Sequence, residues 1–514
     1  MSGGSQGLPG VKPVERTHRD LAWPGLQTWQ CSRRRSHLPT PRIEAPARKG
    51  AYILAAVQSQ AVLDDLRAVL GDRVSSATAV REHHSRGESH HHAQMPDAVV
   101  FPESTGDVQA IVRACARHRT PIVPFGAGSS LEGHVVPVRG GVTIDLSRMS
   151  KVIRINIEDL DAVVQAGVTR KQLERQLQST GLTFPLDPGA DATIGGMAST
   201  RASGTTAVRY GTMREAVLGL QVVLADGRVI HTGSRARKSS SGYDLTRLFV
   251  GAEGTLGIIT EVTLRLHGRP EAVAAMTCWF DTIDAAVQTV IGIVQLAIPV
   301  ARIELLDEVQ MDAVNRHSRL NYPVAPTLFF EFHGLSEADV AGHAEAACEV
   351  ARENGARDLT RALTPESRAT LWQARHDAYF AALALRPGSR GWTTDVCVPI
   401  SRLAECIRET KRDVAASPLT GALVGHVGDG NFHMIFPVNP DAPDEIAEAQ
   451  RLTDRLVERA LALGGTCSGE HGVGLGKVRF LEAEHGRDAI DVMRTIKRAL
   501  DPDNLMNPGK VLPE

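Results

Sequence analysis

The amino-acid sequence predicts an α+β protein of two packed domains, and three observations carry that prediction. The chain has 514 residues, more than a single hydrophobic core usually organises. Apolar residues make up 42% of it, enough to fill two cores. Short β-branched runs alternate with amphipathic helical stretches, and the alternation changes character near residue 270: before it strands are short and glycines frequent, after it the segments lengthen.

Residues 1–50 are rich in Gly, Pro and Arg, with Arg33, Arg34 and Arg35 consecutive and no apolar stretch behind them, so a secretory signal is not expected. A disordered extension and a transit peptide both stay open, with Glu15, Asp20 and Glu44 favouring the extension. The first domain spans 51–270. Within it residues 97–102 read as a strand, 107–118 as an amphipathic helix entered through Ser104-Thr105-Gly106, and 121–125 as a strand that runs into glycines. Further strands are expected at 142–146, 162–165, 216–230 and 258–266, and the domain closes near Arg269-Pro270. The second domain, 271–500, should hold helices at 282–296, 337–354, 402–416 and 443–463, with another opening at Trp372. The tail 501–514, with Pro502, Pro508 and Gly509, should be irregular.

Charge excludes nucleic acid as the main partner: 57 Lys+Arg stand against 59 Asp+Glu with no long run of one sign. Cys31, Cys115, Cys278, Cys348, Cys397, Cys406 and Cys467 are scattered and form no C-x-x-C, which suits reduced thiols inside a cell. The most apolar long stretch, 285–298, is broken by Gln288, Gly292 and Gln295, well short of the ~20 apolar residues that cross a bilayer. No transmembrane segment is expected. The expected location is cytoplasmic or peripheral to a membrane, and mitochondrial if residues 1–50 are a transit peptide.

Gly126-Ala127-Gly128-Ser129-Ser130-Leu131-Glu132-Gly133 follows a strand, and Asp145 lies where a ribose-binding acid stands in a nicotinamide-dinucleotide fingerprint. That fingerprint needs its glycines to open a helix, and the next residues, Val135-Val136-Pro137-Val138-Arg139-Gly140-Gly141, will not propagate one. What the loop can present is backbone N–H groups and two hydroxyls to a phosphate. Two more glycine-rich segments, 192–204 and 250–260, point to one extended ligand lying along this domain.

In the second domain, residues 424–433 read as a hairpin around Asp429-Gly430, so His426 and His433 face each other across it. Glycines flank Glu470 and His471 in Gly469-Glu470-His471-Gly472 and let the backbone aim both inward. Either histidine alone is most simply a structural residue; two histidines and a carboxylate together suit a divalent cation, zinc or manganese, with open positions. Asp429 reads as a turn former. His83, His84, His90, His91 and His92 sit among Arg81, Glu82, Arg86 and Glu88 and read as a solvated loop.

With Pro124-Phe125-Gly126-Ala127-Gly128, the run 187–196, Arg209-Tyr210-Gly211-Thr212-Met213, the run 251–257 and Asn507-Pro508-Gly509-Lys510, residues 81–512 resemble the FAD-linked oxidases of the vanillyl-alcohol oxidase type, in the branch of D-lactate dehydrogenases and glycolate oxidase D subunits. The resemblance implies an N-terminal FAD-binding domain, a C-terminal substrate and metal-binding cap domain, and a tail that returns toward the flavin. It implies FAD contacts from Gly126, Gly128, Ser129, Ser130, Gly195, Gly204, Gly254, Ile259 and Asn507, with Ser129 and Thr206 departing from the commoner Thr and Asn. His426, His433 and Glu470 become the divalent-metal ligands, His471 the general base, and Arg375 the arginine that pairs the substrate carboxylate. The reaction implied is oxidation of a small D-2-hydroxy acid by hydride transfer to flavin, with D-lactate the best substrate and glycolate the runner-up. Related 2-hydroxyglutarate enzymes carry a lysine and an asparagine where Thr393 and Ile435 stand, so a second carboxylate would be unpaired here and a monocarboxylate is favoured. The acceptor is a quinone, cytochrome c or an electron-transfer flavoprotein, and a homodimer is compatible. Two other classes stay open: a transferase like alkyl-dihydroxyacetonephosphate synthase, and a structural subunit of a redox complex.

Overall fold

A computed structural model describes residues 60–236 and 238–513. Residues 1–50, with both readings of that extension, lie outside the described residues.

The N-terminal half is built on two sheets. In the first, Ala98–Val100, Val142–Asp145 and Ile122–Phe125 run parallel, with Val74–Ser75 antiparallel at the edge. The helix Thr105–Arg117 crosses between two of them; the Ser104 hydroxyl caps it by accepting from Asp107 N, and Val108, Ile111, Val112 and Cys115 bury one stripe. The second sheet is antiparallel, in the order Val152–Asn156, Asp161–Gln165, Ile258–Arg265, Val217–Val223, Val229–His231. Where one strand was expected at 216–230, an Asp226-Gly227 turn divides two, because Gly227 takes φ +79°. One apolar core joins both sheets and reaches Met506 in the tail.

From Ala272 a single antiparallel sheet of eight strands takes over, in the order Arg357–Ala362, Ala272–Trp279, Thr327–Gly334, Val300–Leu306, Ala422–Gly425, Asn431–Val438, Arg390–Thr393, with Val396–Cys397 paired off the path. Its two faces follow from alternation along the strands. Met276, Cys278, Ile303, Leu305, Phe330, Phe332, Phe432, Met434 and Phe436 share a core under the helices Ile283–Gln295, Glu337–Glu353, Leu403–Ala415 and Pro443–Ala462. At roughly 25 cal/mol per Å² of apolar surface buried, that layer is the main force holding this half together. The other face is apolar at one end, where Leu306, Phe329 and Ile435 meet Met311, Val314 and Trp372. At its other end the same strands carry Arg302, Glu304, Glu331, His333 and His433. The functional site grows from this polar end.

The four helices expected in this half lie where the sequence places them. The helix around Arg375 does not open at Trp372; it runs Pro365–His376, started by the Thr364 capping box with Pro365 at its first position, so Arg375 sits at its C-terminal end. The solvated-loop reading of the histidine cluster holds for His83 and His92, which are exposed, and is corrected for His84 and His90. His84 is buried, with Nδ1 on Val80 O at 2.8 Å and Nε2 on Asp145 at 2.9 Å. His90 stacks on Trp392 with centroids 3.7 Å apart, and Arg390 donates to Ser89 O. Aromatic packing outweighs the polar neighbours that suggested solvent.

Candidate active site

The glycine-rich segments converge. The chain leaves Ile122–Phe125 straight into a loop with no helix before Val142–Asp145, so the nicotinamide-dinucleotide fingerprint fails as the sequence predicts. Gly254 (φ +74°) packs so closely on Pro124 that a Cβ would lie 2.3 Å from that ring, and a Cβ on Gly126 would lie 2.4 Å from Thr193 Oγ1. Gly195 donates to Ala166 O, Glu253 N to Ser199 O, and Asn507 Nδ2 to both His134 O and Glu253 O. Gly126, Gly195, Gly254 and Asn507 are thereby knit into one cradle with Gly128, Ser129 and Ser130 on the same loop as Gly126. Ile259 is buried at the start of its strand, and Gly204 lies against Asp187. The Thr206 hydroxyl donates to Pro185 O.

The second cluster stands on the polar end of the eight-stranded sheet. His433 lies in Asn431–Val438 and His426 in the turn just past Ala422–Gly425, with ring centroids 5.5 Å apart. Each Nε2 is 3.2 Å from Glu470 Oε1. Each Nδ1 faces the other way: His426 onto Glu304 Oε1 at 2.6 Å, His433 onto Thr394 O at 3.0 Å. With both Nδ1 atoms held from outside, the two Nε2 atoms converge on one carboxylate, and the ligand atoms of His426, His433 and Glu470 all lie within 4.8 Å of one another. His471 stacks on His433 at 4.9 Å and 11°, with Nε2 3.9 Å from Glu470 Oε1. The Ser203 hydroxyl donates to Glu470 Oε2 at 2.7 Å, which ties this cluster to the glycine cradle one residue before Gly204. Arg375 is also present, its Nε on Glu304 Oε2 at 2.6 Å. Thr393 and Ile435 are direct partners across two strands, and Ile435 shares a face with His433.

Electrostatics sharpen the picture. Burial opposes charge on His426, yet Glu304 and Glu470 outweigh it and raise the ring well above its usual value; against burial, His426 and His433 hold Glu470 well below the carboxylate range. The pocket therefore calls for positive charge between its carboxylates. Burial pushes His471 down to about 4 despite Asp395, so this ring is neutral at neutral pH.

Sequence reasoning missed the carboxylates that hold the loop 469–477. Asp395, fully buried, accepts from Ser468 Oγ, Glu470 N, His471 N and Lys477 Nζ. Lys477 is 3.2 Å from both Asp395 and Glu132, and Glu253 accepts from Val473 N and Gly474 N. Glu132 and Glu253 belong to two of the glycine-rich segments, so the acids among the cradle's glycines grip the histidine loop. A charged residue alternating with apolar ones inside a strand, as in Arg302-Ile303-Glu304, was the available signal for Glu304.

A family model for the FAD binding domain matches residues 96–233, and one for the C-terminal domain of FAD linked oxidases matches residues 269–511. The cradle and the cap together define a flavin-binding oxidoreductase of two domains. The chain belongs to the FAD-linked oxidase family. It is 51% identical to "Probable D-lactate dehydrogenase, mitochondrial" of Danio rerio, over 92% of this chain and 95% of that protein. It is 44% identical to "D-lactate dehydrogenase [cytochrome], mitochondrial" of Arabidopsis thaliana, over 88% and 80%. With "Glycolate oxidase subunit GlcD" of Bacillus subtilis the identity is 36%, over 81% and 89%. The solved structure of p-cresol methylhydroxylase with substrate bound shares the fold at 20% identity and TM-score 0.72, covering 88% of this chain and 96% of that one. An alkyldihydroxyacetonephosphate synthase does so at 22% and 0.70, over 88% and 86%. At such identities the likeness speaks to the fold alone.

Proposed function

We propose that this protein is an FAD-dependent dehydrogenase that oxidises D-lactate to pyruvate, assisted by a divalent cation. The observation that carries the reading is the convergence of His426, His433 and Glu470 beside a neutral His471, on a chain about half identical to a D-lactate dehydrogenase of similar length.

FAD fits the glycine cradle, where Gly126, Gly128, Gly195, Gly204 and Gly254 let the backbone pack so closely on Thr193, Phe125, Ala166, Asp187 and Pro124 that the three glycine-rich segments meet around one ligand; when bound it supplies the two-electron acceptor for the substrate's α-hydrogen. Zinc or manganese fits the donor set of two imidazoles and a carboxylate, whose Nδ1 atoms are already held from outside, and when bound it supplies Lewis acidity toward the substrate hydroxyl. Arg375 binds the substrate carboxylate through its terminal nitrogens, its Nε being engaged by Glu304. His471 takes the hydroxyl proton at Nε2, the ring nitrogen turned toward Glu470. Thr393 and Ile435 are uncharged and pair across two strands on the face that carries His433, which favours one carboxylate over two. Retention of Glu470 with both histidines favours oxidation over ether-bond transfer. A cytochrome-type acceptor and a mitochondrial location accord with the names of the Danio and Arabidopsis relatives, residues 1–50 then serving as the targeting segment.

Anaerobic stopped-flow bleaching of the flavin tests this, with D-lactate, L-lactate, glycolate and D-2-hydroxyglutarate mixed before and after chelation. Fast bleaching by D-lactate that is lost on chelation is expected. Flavin that none of the four reduces would sink the dehydrogenase reading.

A further inference from the structure

Glu304 is fully buried in the strand Val300–Leu306, and each of its two oxygens has its own partner. Oε1 accepts from His426 Nδ1 at 2.6 Å; Oε2 accepts from Arg375 Nε at 2.6 Å. One carboxylate thus touches both a candidate metal ligand and the candidate substrate arginine, which come from a hairpin turn and a helix end more than fifty residues apart. Among the described residues, Glu304 is the acceptor found for the Arg375 guanidinium, and holding it by Nε leaves the terminal fork to face a ligand.

Resting on the function proposed above, we infer that Glu304 is a positioning residue that sets the spacing between the metal-ligand arm and the substrate-carboxylate arm. A 2-hydroxy acid carries its hydroxyl and its carboxylate on adjacent carbons, so the groups that hold them must stand at one short, fixed separation. A fully buried carboxylate pinned at both oxygens imposes such a separation; two independently mobile side chains would not. Its bond to Nδ1 also turns His426 Nε2 toward Glu470, the outer-shell role that carboxylates play behind metal-bound imidazoles.

The test uses the full-length, FAD-loaded protein, chelated and dialysed, as wild type, Glu304→Gln, Glu304→Asp and Arg375→Met. Calorimetric titration with Mn2+, without substrate, reads the metal arm; KM against kcat for D-lactate at saturating Mn2+ reads the substrate arm. Glu304→Gln is expected to weaken Mn2+ binding roughly 10–100-fold, as outer-shell losses do, and to raise KM more than it lowers kcat. Arg375→Met should raise KM and weaken Mn2+ binding less than Glu304→Gln does, because Glu304 Oε1 still accepts from His426 Nδ1. Glu304→Asp keeps the charge on a shorter stem and should fall between wild type and Gln on both readouts; it carries the test if the Gln protein loses its flavin. Wild-type Mn2+ affinity and wild-type KM in the Glu304 variants would overturn the inference alone. A wild-type protein that binds neither Mn2+ nor Zn2+ would overturn the metal reading and this inference with it.

Discussion

His471 combines features that seldom coincide on one imidazole. It is packed face to face on His433, its Nδ1 is buried without a hydrogen-bond partner, and burial holds it neutral. An unsatisfied buried nitrogen costs about 1–3 kcal/mol, so a ring kept in that condition serves something other than stability. Replacing it with Gln preserves bulk and removes the base. His471→Gln is expected to retain FAD and fold while the rate of flavin bleaching by D-lactate falls about 10²–10⁴-fold, the usual contribution of a positioned base. A variant that bleaches within a factor of three of wild type would remove His471 from the mechanism. The residues holding it were partly legible: Glu470 and His471 stand out because glycines flank them, whereas Asp395 looks like any strand-end acid until folding gathers five donors onto it.

Among the elements, the loop 469–477 depends most on charges that are distant in sequence. Lys477 sits between Asp395 and Glu132; burial opposes its charge, yet the two acids raise it to about 12. Asp395→Asn leaves that ammonium with one carboxylate and the loop without its strongest acceptor. Breaking a buried pair of this kind costs about 3–5 kcal/mol, so chemical denaturation should show a lower midpoint and hydrogen exchange should speed up over 469–477. Unchanged protection there would mean that the loop is held by its glycines and Glu253 alone. The segment 84–92 behaves differently with pH. Burial, aided by neighbouring cations, pushes His90 down to about 3 and His91 to about 4, so the unfolded chain binds protons near pH 6.5 that the folded chain refuses. Their contribution is present above pH 6.5 and is lost progressively as pH falls toward 4. Acidification to pH 5 should cost roughly 1–2 kcal/mol for each ring, and His90→Phe, which keeps a ring to stack on Trp392, should flatten the slope of melting temperature against pH between 7 and 5. An identical slope in the variant would show that another group dominates there.

At the scale of the whole molecule, the cradle draws on residues 124–134, 193–204, 250–259 and 507, so it exists only when most of the chain is folded. A ligand that binds only the folded state stabilises it by mass action, about 2.7 kcal/mol at a hundred times its dissociation constant. Protein stripped of FAD should therefore melt lower than the reconstituted form, with a melting temperature that climbs as FAD is titrated back. A melting temperature indifferent to FAD would argue that the cradle is not its site. The tail takes part in this assembly: Asn507 N donates to Ile122 O, and Lys510 Nζ donates to Val136 O at 2.5 Å.

The α+β class, the change of pattern near residue 270, four long helices of the second half and the hairpin that pairs His426 with His433 were readable from residue order, whereas joining Glu470 and His471 to that pair took the resemblance to FAD-linked oxidases. Each of the readable features is local: hydrophobic period, caps, glycine spacing and a turn between two histidines act within about twenty residues. Periodicity could not say that Glu304 would face the histidines, that acids embedded among the cradle's glycines would grip the histidine loop, or that His84 and His90 would pack on Asp145 and Trp392 while His83 and His92 face water. Those are contacts between segments far apart in sequence. A charge is tolerated in the interior only where its partner arrives, and the partner's arrival is decided by how the sheets and helices stack.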